Sequence, residues 1–128
     1  MRKMAVGLVA AFIVVSAAAC GGGGGDPTTP SGALVGDPVG GFVLYRTTCI
    51  VCHGEGGIGI AGLGKPWIGS DFINSRTDDE MMAFLLVGIS ADDPLNTTGI
   101  DMLPKGGNKA LTEQDLLDLI AYMRTLNL

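Results

Sequence analysis

Apolar residues recur at three- and four-residue intervals near the C-terminal end. Leu116, Leu119, Ile120, Met123 and Leu126 fall on one face of a helix, and Asp118, Arg124 and Thr125 fall on the wetter side. Thr112 with Asp115 three residues on makes a capping box, so that helix is predicted to start there. A second box, Thr77-Asp78-Asp79-Glu80, puts acidic side chains at the positive end of another helix dipole. Met81 to Val87 forms the body of that helix, and Gly88 ends it. A third helix is predicted from Asp37 to Cys49, with Asp37 as N-cap and Pro38 at the first helical position, where its missing N–H costs nothing. Its apolar positions Val39, Phe42, Val43 and Leu44, with Arg46 among them, give a mixed face. No stretch alternates with period two, and no internal repeat appears. Gly54 to Gly69 is glycine-rich and irregular. A long loop from Ile89 to Lys109 is broken by Pro94, Gly99, Pro104, Gly106 and Gly107. The expected fold is small and all-α, with three or more helices and long loops.

The N-terminal end has a different character. Met1-Arg2-Lys3 is basic, Met4 to Val15 is apolar apart from Gly7, and Ser16-Ala17-Ala18-Ala19-Cys20 is small. That order reads as an export signal over residues 1–19. The apolar run falls short of the roughly 20 residues a membrane-spanning helix needs. Ala-Ala-Ala-Cys resembles a bacterial lipobox, in which the cysteine becomes the lipid-modified first residue. Ala17 stands where a leucine is usual, so ordinary cleavage with a free Cys20 thiol is the competing reading. Residues 20–36 open on five consecutive glycines after Cys20 and continue through Asp26-Pro27-Thr28-Thr29-Pro30. Such a segment buries too little apolar surface to fold and reads as a leash with a reach of roughly 20–25 Å. Residues 37–128 are left as one domain.

Removing the signal leaves six basic and thirteen acidic residues, a net charge of −7. An acidic surface argues against nucleic acid and suits a partner with a basic docking patch. The mean hydropathy of +0.40 owes much to the signal and does not indicate a membrane-spanning protein. Only 5% of residues are aromatic. Long loops with so few large side chains make a poor core, and a bound apolar cofactor would give them something to pack on.

Cys49-Ile50-Val51-Cys52-His53 points to that cofactor. In an exported protein this C-x-x-C-H sequence reads as covalent haem attachment: two thiols a helical turn apart meet two vinyl groups, and the next residue puts an imidazole under the iron. His53 is the only histidine present. A zinc site wants four ligands, and too few thiols and imidazoles remain once Cys20 carries lipid. A thioredoxin-like dithiol belongs beside a βαβ pattern that is missing here. A disulfide closing so short a loop stabilises little. With no second histidine, methionine sulfur is the obvious sixth ligand. Met81, Met82 and Met123 fall within helices and read as core filling. Met102 lies instead in the glycine- and proline-rich loop and is the candidate, with loop packing as its alternative.

Together these residues resemble the class I cytochrome c family over roughly Gly41 to Leu128. Gly41 and Tyr45 stand where that family keeps a glycine and an aromatic on its N-terminal helix, and Tyr122 matches the aromatic across the helix crossing. Cys52-His53-Gly54 matches the haem motif with its trailing glycine. Gly64-Lys65-Pro66-Trp67-Ile68-Gly69 looks like the loop whose proline carbonyl accepts a hydrogen bond from the ligand imidazole. The resemblance implies that Pro66 orients His53, that Ile68 packs on the haem, and that Trp67 reaches a propionate or serves in packing alone. Met102-Leu103-Pro104-Lys105-Gly106-Gly107-Asn108 is similar to the family's methionine loop, with Leu103 intervening before the proline.

The resemblance implies a monomeric electron carrier rather than an enzyme, holding one covalent haem c between His53 and Met102. It is expected on the outer side of the cytoplasmic membrane, periplasmic or cell-surface, anchored through lipidated Cys20. Its expected partners are an oxidase, a quinol-oxidising complex or a dehydrogenase. Alternatives are a haem subunit fixed in a larger oxidase or dehydrogenase complex, and a haem peroxidase or gas sensor with an open iron.

Overall fold

The structure is a computed structural model that describes residues 34–128. The expected export signal, Cys20 and most of the expected leash lie outside the described residues. Helix α1 spans Pro38–Leu44, and the Asp37 carboxylate caps it by accepting from the Val39 and Gly40 N–H groups. The backbone then widens into a π-helical turn, Tyr45–Cys49, and tightens again into α2, Ile50–His53. The Ile50 N–H reaches back five residues to the Tyr45 carbonyl. The Thr47 hydroxyl donates to the carbonyls of Val43 and Leu44 at 3.2 and 3.1 Å, competing with the backbone where the widening starts. The helix expected to stop at Cys49 therefore runs four residues further. It ends at Gly54, whose φ of 75° breaks the helical path.

A short helix α3, Asp71–Asn74, follows the glycine-rich segment; its four residues are too few to carry a readable period. Helix α4, Asp78–Val87, and helix α5, Glu113–Thr125, have the expected boxes, Thr77 with Glu80 and Thr112 with Asp115. Among the described residues there is no strand, only two isolated bridges, Ile60 to Gly64 and Ile89 to Met102.

The two ends of the domain meet where α1 crosses α5. A Cβ at Gly41 would lie 1.9 Å from the Asp118 carbonyl oxygen and 2.8 Å from Tyr122 Cβ. Only glycine lets the two backbones approach so closely. Asp118 and Gln114 reinforce the crossing. Asp118 Oδ1 accepts from the Asp37 N–H at 2.8 Å, and Gln114 Nε2 donates to the Val35 carbonyl at 2.7 Å. Below the crossing Tyr45, Trp67, Ile73, Met81, Leu85, Leu111, Leu116, Leu119, Ile120, Tyr122 and Met123 form one core. Arg124, expected on the wet side, is half-buried. It grips Asp78 at 2.8 Å and the carbonyls of Ile73 and Arg76 at 2.6 and 2.7 Å, locking α5 to the α3–α4 link.

Gly41→Ala should destabilise the protein. Alanine gains up to about 1 kcal/mol in helix propensity, but its methyl group meets a backbone carbonyl that cannot rotate away. A net loss of about 1–3 kcal/mol is expected in chemical denaturation; a stabilised variant would contradict the packing described.

Candidate functional site

One cleft opens between α2, the 63–67 segment, α4, α5 and the loop after α4. It encloses about 1300 Å³ including its mouth, and apolar side chains dominate its walls. Cys49, Cys52 and His53 lie along one wall. Successive turns of one helix carry them, so the C-x-x-C-H spacing brings both thiols and the imidazole to the same cleft. Both thiols are free. Gly64 lies against the Cys52 backbone, where a Cβ would come within 2.2 Å of the Cys52 carbonyl oxygen. The glycine-rich segment thus backs the attachment helix directly.

The His53 ring is held from behind. Its Nδ1 lies 2.7 Å from the carbonyl oxygen of Lys65, to which a protonated Nδ1 donates. The Nε2 atom is then left as the basic nitrogen. The expected acceptor was the Pro66 carbonyl, and the structure moves that role back one residue. The proline still shapes the contact, because a residue preceding proline is confined to extended conformations. The Lys65 carbonyl belongs to the amide that joins it to Pro66. Pro66 itself lines the cleft, as does Trp67, which is buried. The Trp67 ring packs on Tyr45 at 4.6 Å and on His53 at 5.2 Å between centroids. Packing is therefore a role the structure gives it.

Ile68 is a correction. It is 46% exposed and is not part of the cleft wall, so it does not serve as the apolar packing residue the resemblance implied. Hydrogen bonds from the Trp67 and Ile68 N–H groups to the Gly57 carbonyl hold this segment with Trp67 inward. Leu63, Phe72, Phe84, Leu85, Ile89, Ile100 and Leu103 contribute to the wall instead. Apart from Leu103, quoted with the methionine loop, no motif marked these residues, and Phe72 lies on the unforeseen helix α3. Met81 and Met123, read as core filling, are buried and also reach the cleft.

Met102 lines the same cleft as His53 and is half-buried. Its placement is backbone work. Met102 and Ile89 exchange two hydrogen bonds of 2.9 Å, closing the loop between them at its base. Gly88 makes room for this pairing, since a Cβ there would fall 2.1 Å from the Met102 carbonyl oxygen. Inside the loop Asn96 acts as a hub. Its Nδ2 donates to the Ser90 and Ile100 carbonyls, and its Oδ1 accepts from Thr98 and Gly99. Leu103, the residue intervening before Pro104, is 57% exposed and lies at the rim of the cleft.

Burial also sets the protonation of the wall. The Cys49 thiol is pushed up to about 12, by desolvation first and by the neighbouring Cys52 second. His53 is lowered by burial, against a smaller opposing effect of the Lys65 carbonyl. A neutral imidazole with a free Nε2 is the form that binds a metal. The donor set also fits a tetrapyrrole iron in chemical kind. It offers two thiols for covalent attachment, one imidazole, and a thioether on a separate loop of the same apolar cleft. Among the described residues no group of three His, Cys, Asp or Glu side chains converges as a metal cage would require.

A family model described as cytochrome c matches residues 39–127, which takes in nearly all of α1, the whole of α2 to α5 and every wall of the cleft. No curated protein and no solved structure matches the sequence.

Tyr45 ties the same helix end into the core. Its hydroxyl donates to the Gly54 carbonyl just after the histidine, and its ring is buried. Burial, above all, pushes the phenol up to about 12, the neighbouring Tyr122 adds to this, and a backbone contact at Gly57 opposes it. The folded state then keeps a proton that the unfolded polypeptide loses near pH 10. This contribution to stability is whole below pH 10 and is lost as pH rises towards 12. Tyr45→Phe should therefore lose about 1 kcal/mol at neutral pH, yet show a shallower decline between pH 10 and 12 in urea denaturation.

Proposed function

The chain belongs to the cytochrome c family of haem-binding electron-transfer proteins, and we propose that it is a mono-haem carrier tethered to a membrane, with the haem attached through Cys49 and Cys52. The observation that carries the reading is the convergence of these two cysteines, His53 and Met102 on one apolar cleft. When bound, the haem supplies a one-electron couple at its iron.

The residues have separable roles. Cys49 and Cys52, a helical turn apart on the cleft wall, would hold the haem by thioether bonds formed by adding each thiol across a vinyl group. His53 offers Nε2 to the iron while Nδ1 stays on the Lys65 carbonyl, a contact that orients the ring and raises its basicity. Met102 would offer its sulfur from the other side of the Ile89 bridge, so its position depends on two backbone hydrogen bonds and not on loop length. With His53 and Met102 both holding the iron, the residues present would leave no place for substrate, and electron exchange is the chemistry the group would supply. Soft sulfur and an apolar wall both favour the less charged ferrous form, which raises the potential.

Residues 1–19 then serve as the export signal, Cys20 as the lipidated anchor and residues 20–36 as the leash. The protein is placed on the outer face of the cytoplasmic membrane, periplasmic or cell-surface. Tethering substitutes a high local concentration for free diffusion. The acidic surface suits partners with basic docking faces, drawn from oxidases, quinol-oxidising complexes and dehydrogenases.

Expressed with a competent maturation apparatus, the protein should keep its haem colour through denaturing electrophoresis, and Cys49→Ser together with Cys52→Ser should abolish it. A redox titration should give a positive midpoint. Met102→Ala should lower that midpoint by about 0.1–0.3 V, a part of the roughly 0.8 V that axial ligands span. The same variant should convert a low-spin ferric spectrum to a high-spin one that binds cyanide at once. A wild-type protein already high-spin and open to cyanide would refute the carrier reading.

A further inference from the structure

The loop that ends on Met102 is stiff within itself. The Asn96 amide ties Ser90 to Ile100, the Asp101 carboxylate accepts from the Ala91 N–H, and the Asp93 carboxylate accepts from the Leu95 N–H. Ile89 and Met102 pair at its base, next to Gly88 with a φ of 75°. Residues 90–101 therefore form a closed unit hung from one end, and Asn96, Thr98 and Ile100 line the cleft beneath it.

Its tip meets the opposite wall at a single polar contact. Lys65 Nζ donates to the Leu95 carbonyl at 3.1 Å. Among the described residues no other hydrogen bond joins this loop to the glycine-rich segment. Packing does not replace it. A shallow groove runs between the two, lined by Ile60, Gly62, Pro66, Thr97 and Thr98, and the Leu95 side chain is 58% exposed. The ammonium thus spans an opening and not a packed seam. The same residue stands behind the imidazole, because its main-chain carbonyl accepts from His53 Nδ1 at 2.7 Å. Lys65 touches both ligand-bearing sides of the cleft, one with its backbone and the other with its side chain.

We propose that Lys65 is a latch: its ammonium holds the 90–101 loop shut over the cleft and so keeps the Met102 sulfur in place against competing ligands. It is a positioning residue that acts on the iron only through Met102, and the inference rests on the ligation reading above. An outside ligand takes the methionine's place only when the loop has swung away, so its apparent affinity scales with the open fraction. Loss of one hydrogen bond from a charged donor at a solvated site raises that fraction about three- to tenfold.

Lys65→Met separates the two contacts, since it removes the ammonium and leaves the main-chain carbonyl behind His53. The side chain is exposed, so the fold does not depend on it. Two readouts are taken on the haem-loaded protein: imidazole titration of the ferric form, followed by loss of the methionine–iron charge-transfer band, and amide hydrogen exchange. Lys65→Met should take imidazole about three- to tenfold more tightly. Exchange across residues 90–101 should quicken by a similar factor, while that of α5 stays as in the wild type. Lys109→Met, which removes the same charge from another exposed position, should change neither. Loop exchange that ignores Lys65→Met overturns the latch. Faster exchange with unchanged imidazole affinity overturns it too, by separating the loop from the ligand. An equal response to Lys109→Met assigns the effect to net charge and overturns it as well. In each of these cases a low-spin wild type leaves the Met102 ligation standing, whereas a high-spin wild type removes that ligation and this inference with it.

Discussion

The backbone contact between α1 and α5 at Gly41 is the constraint on which the remaining structure hangs. It joins the two ends of the domain without an intervening side group, and it fixes the direction of the helix that carries Cys49, Cys52 and His53. Tyr45 sits one turn below the contact, wedged against Tyr122 on one side and Trp67 on the other. Its hydroxyl reaches forward to the Gly54 carbonyl, tying the end of the attachment helix to the same core. The crossing therefore sets one wall of the cleft before any cofactor is considered.

The opposite wall is built by different means. In the segments between Gly54 and Gly69 and between Ile89 and Lys109, Trp67 is the one apolar side chain buried in the core. They are ordered by polar contacts: Gly57 accepts from Trp67 and Ile68, Ile89 pairs with Met102, and Asn96 satisfies its own loop. Hydrogen bonds of this kind give direction where packing is thin, because each unmade bond in a partly buried loop carries a desolvation penalty. The outcome is a rigid helical wall facing a wall of pinned loops, with an apolar gap between them. A flat apolar group that touches both walls would replace the contacts the loops cannot make with one another.

The same division accounts for the surface. Acidic residues crowd the first turns of α4 and α5, where the helix dipoles favour them. The α1–α2 helix carries none, and its cap comes from Asp37 alone. Charge in this domain is thus unevenly spread for reasons of local helix chemistry, and one side is left apolar as a consequence.

What the sequence by itself determined is what depends on near neighbours in the primary structure. The capping boxes at Thr77 and Thr112, the Asp37–Pro38 start, the apolar stripe of α5 and the C-x-x-C-H spacing all act within one or two helical turns, and all appear in the fold as expected. The extension of the first helix to His53, the four-residue α3, the Lys65 carbonyl behind His53 and the outward turn of Ile68 were decided by tertiary structure. So were the aromatic wall from Phe72 and Phe84 and the Ile89 pairing that sets Met102. Each depends on which backbone groups in distant segments find one another. Hydrogen bonds across glycine-rich loops leave no period in the sequence, since glycine specifies where the backbone can bend and not what it will meet there.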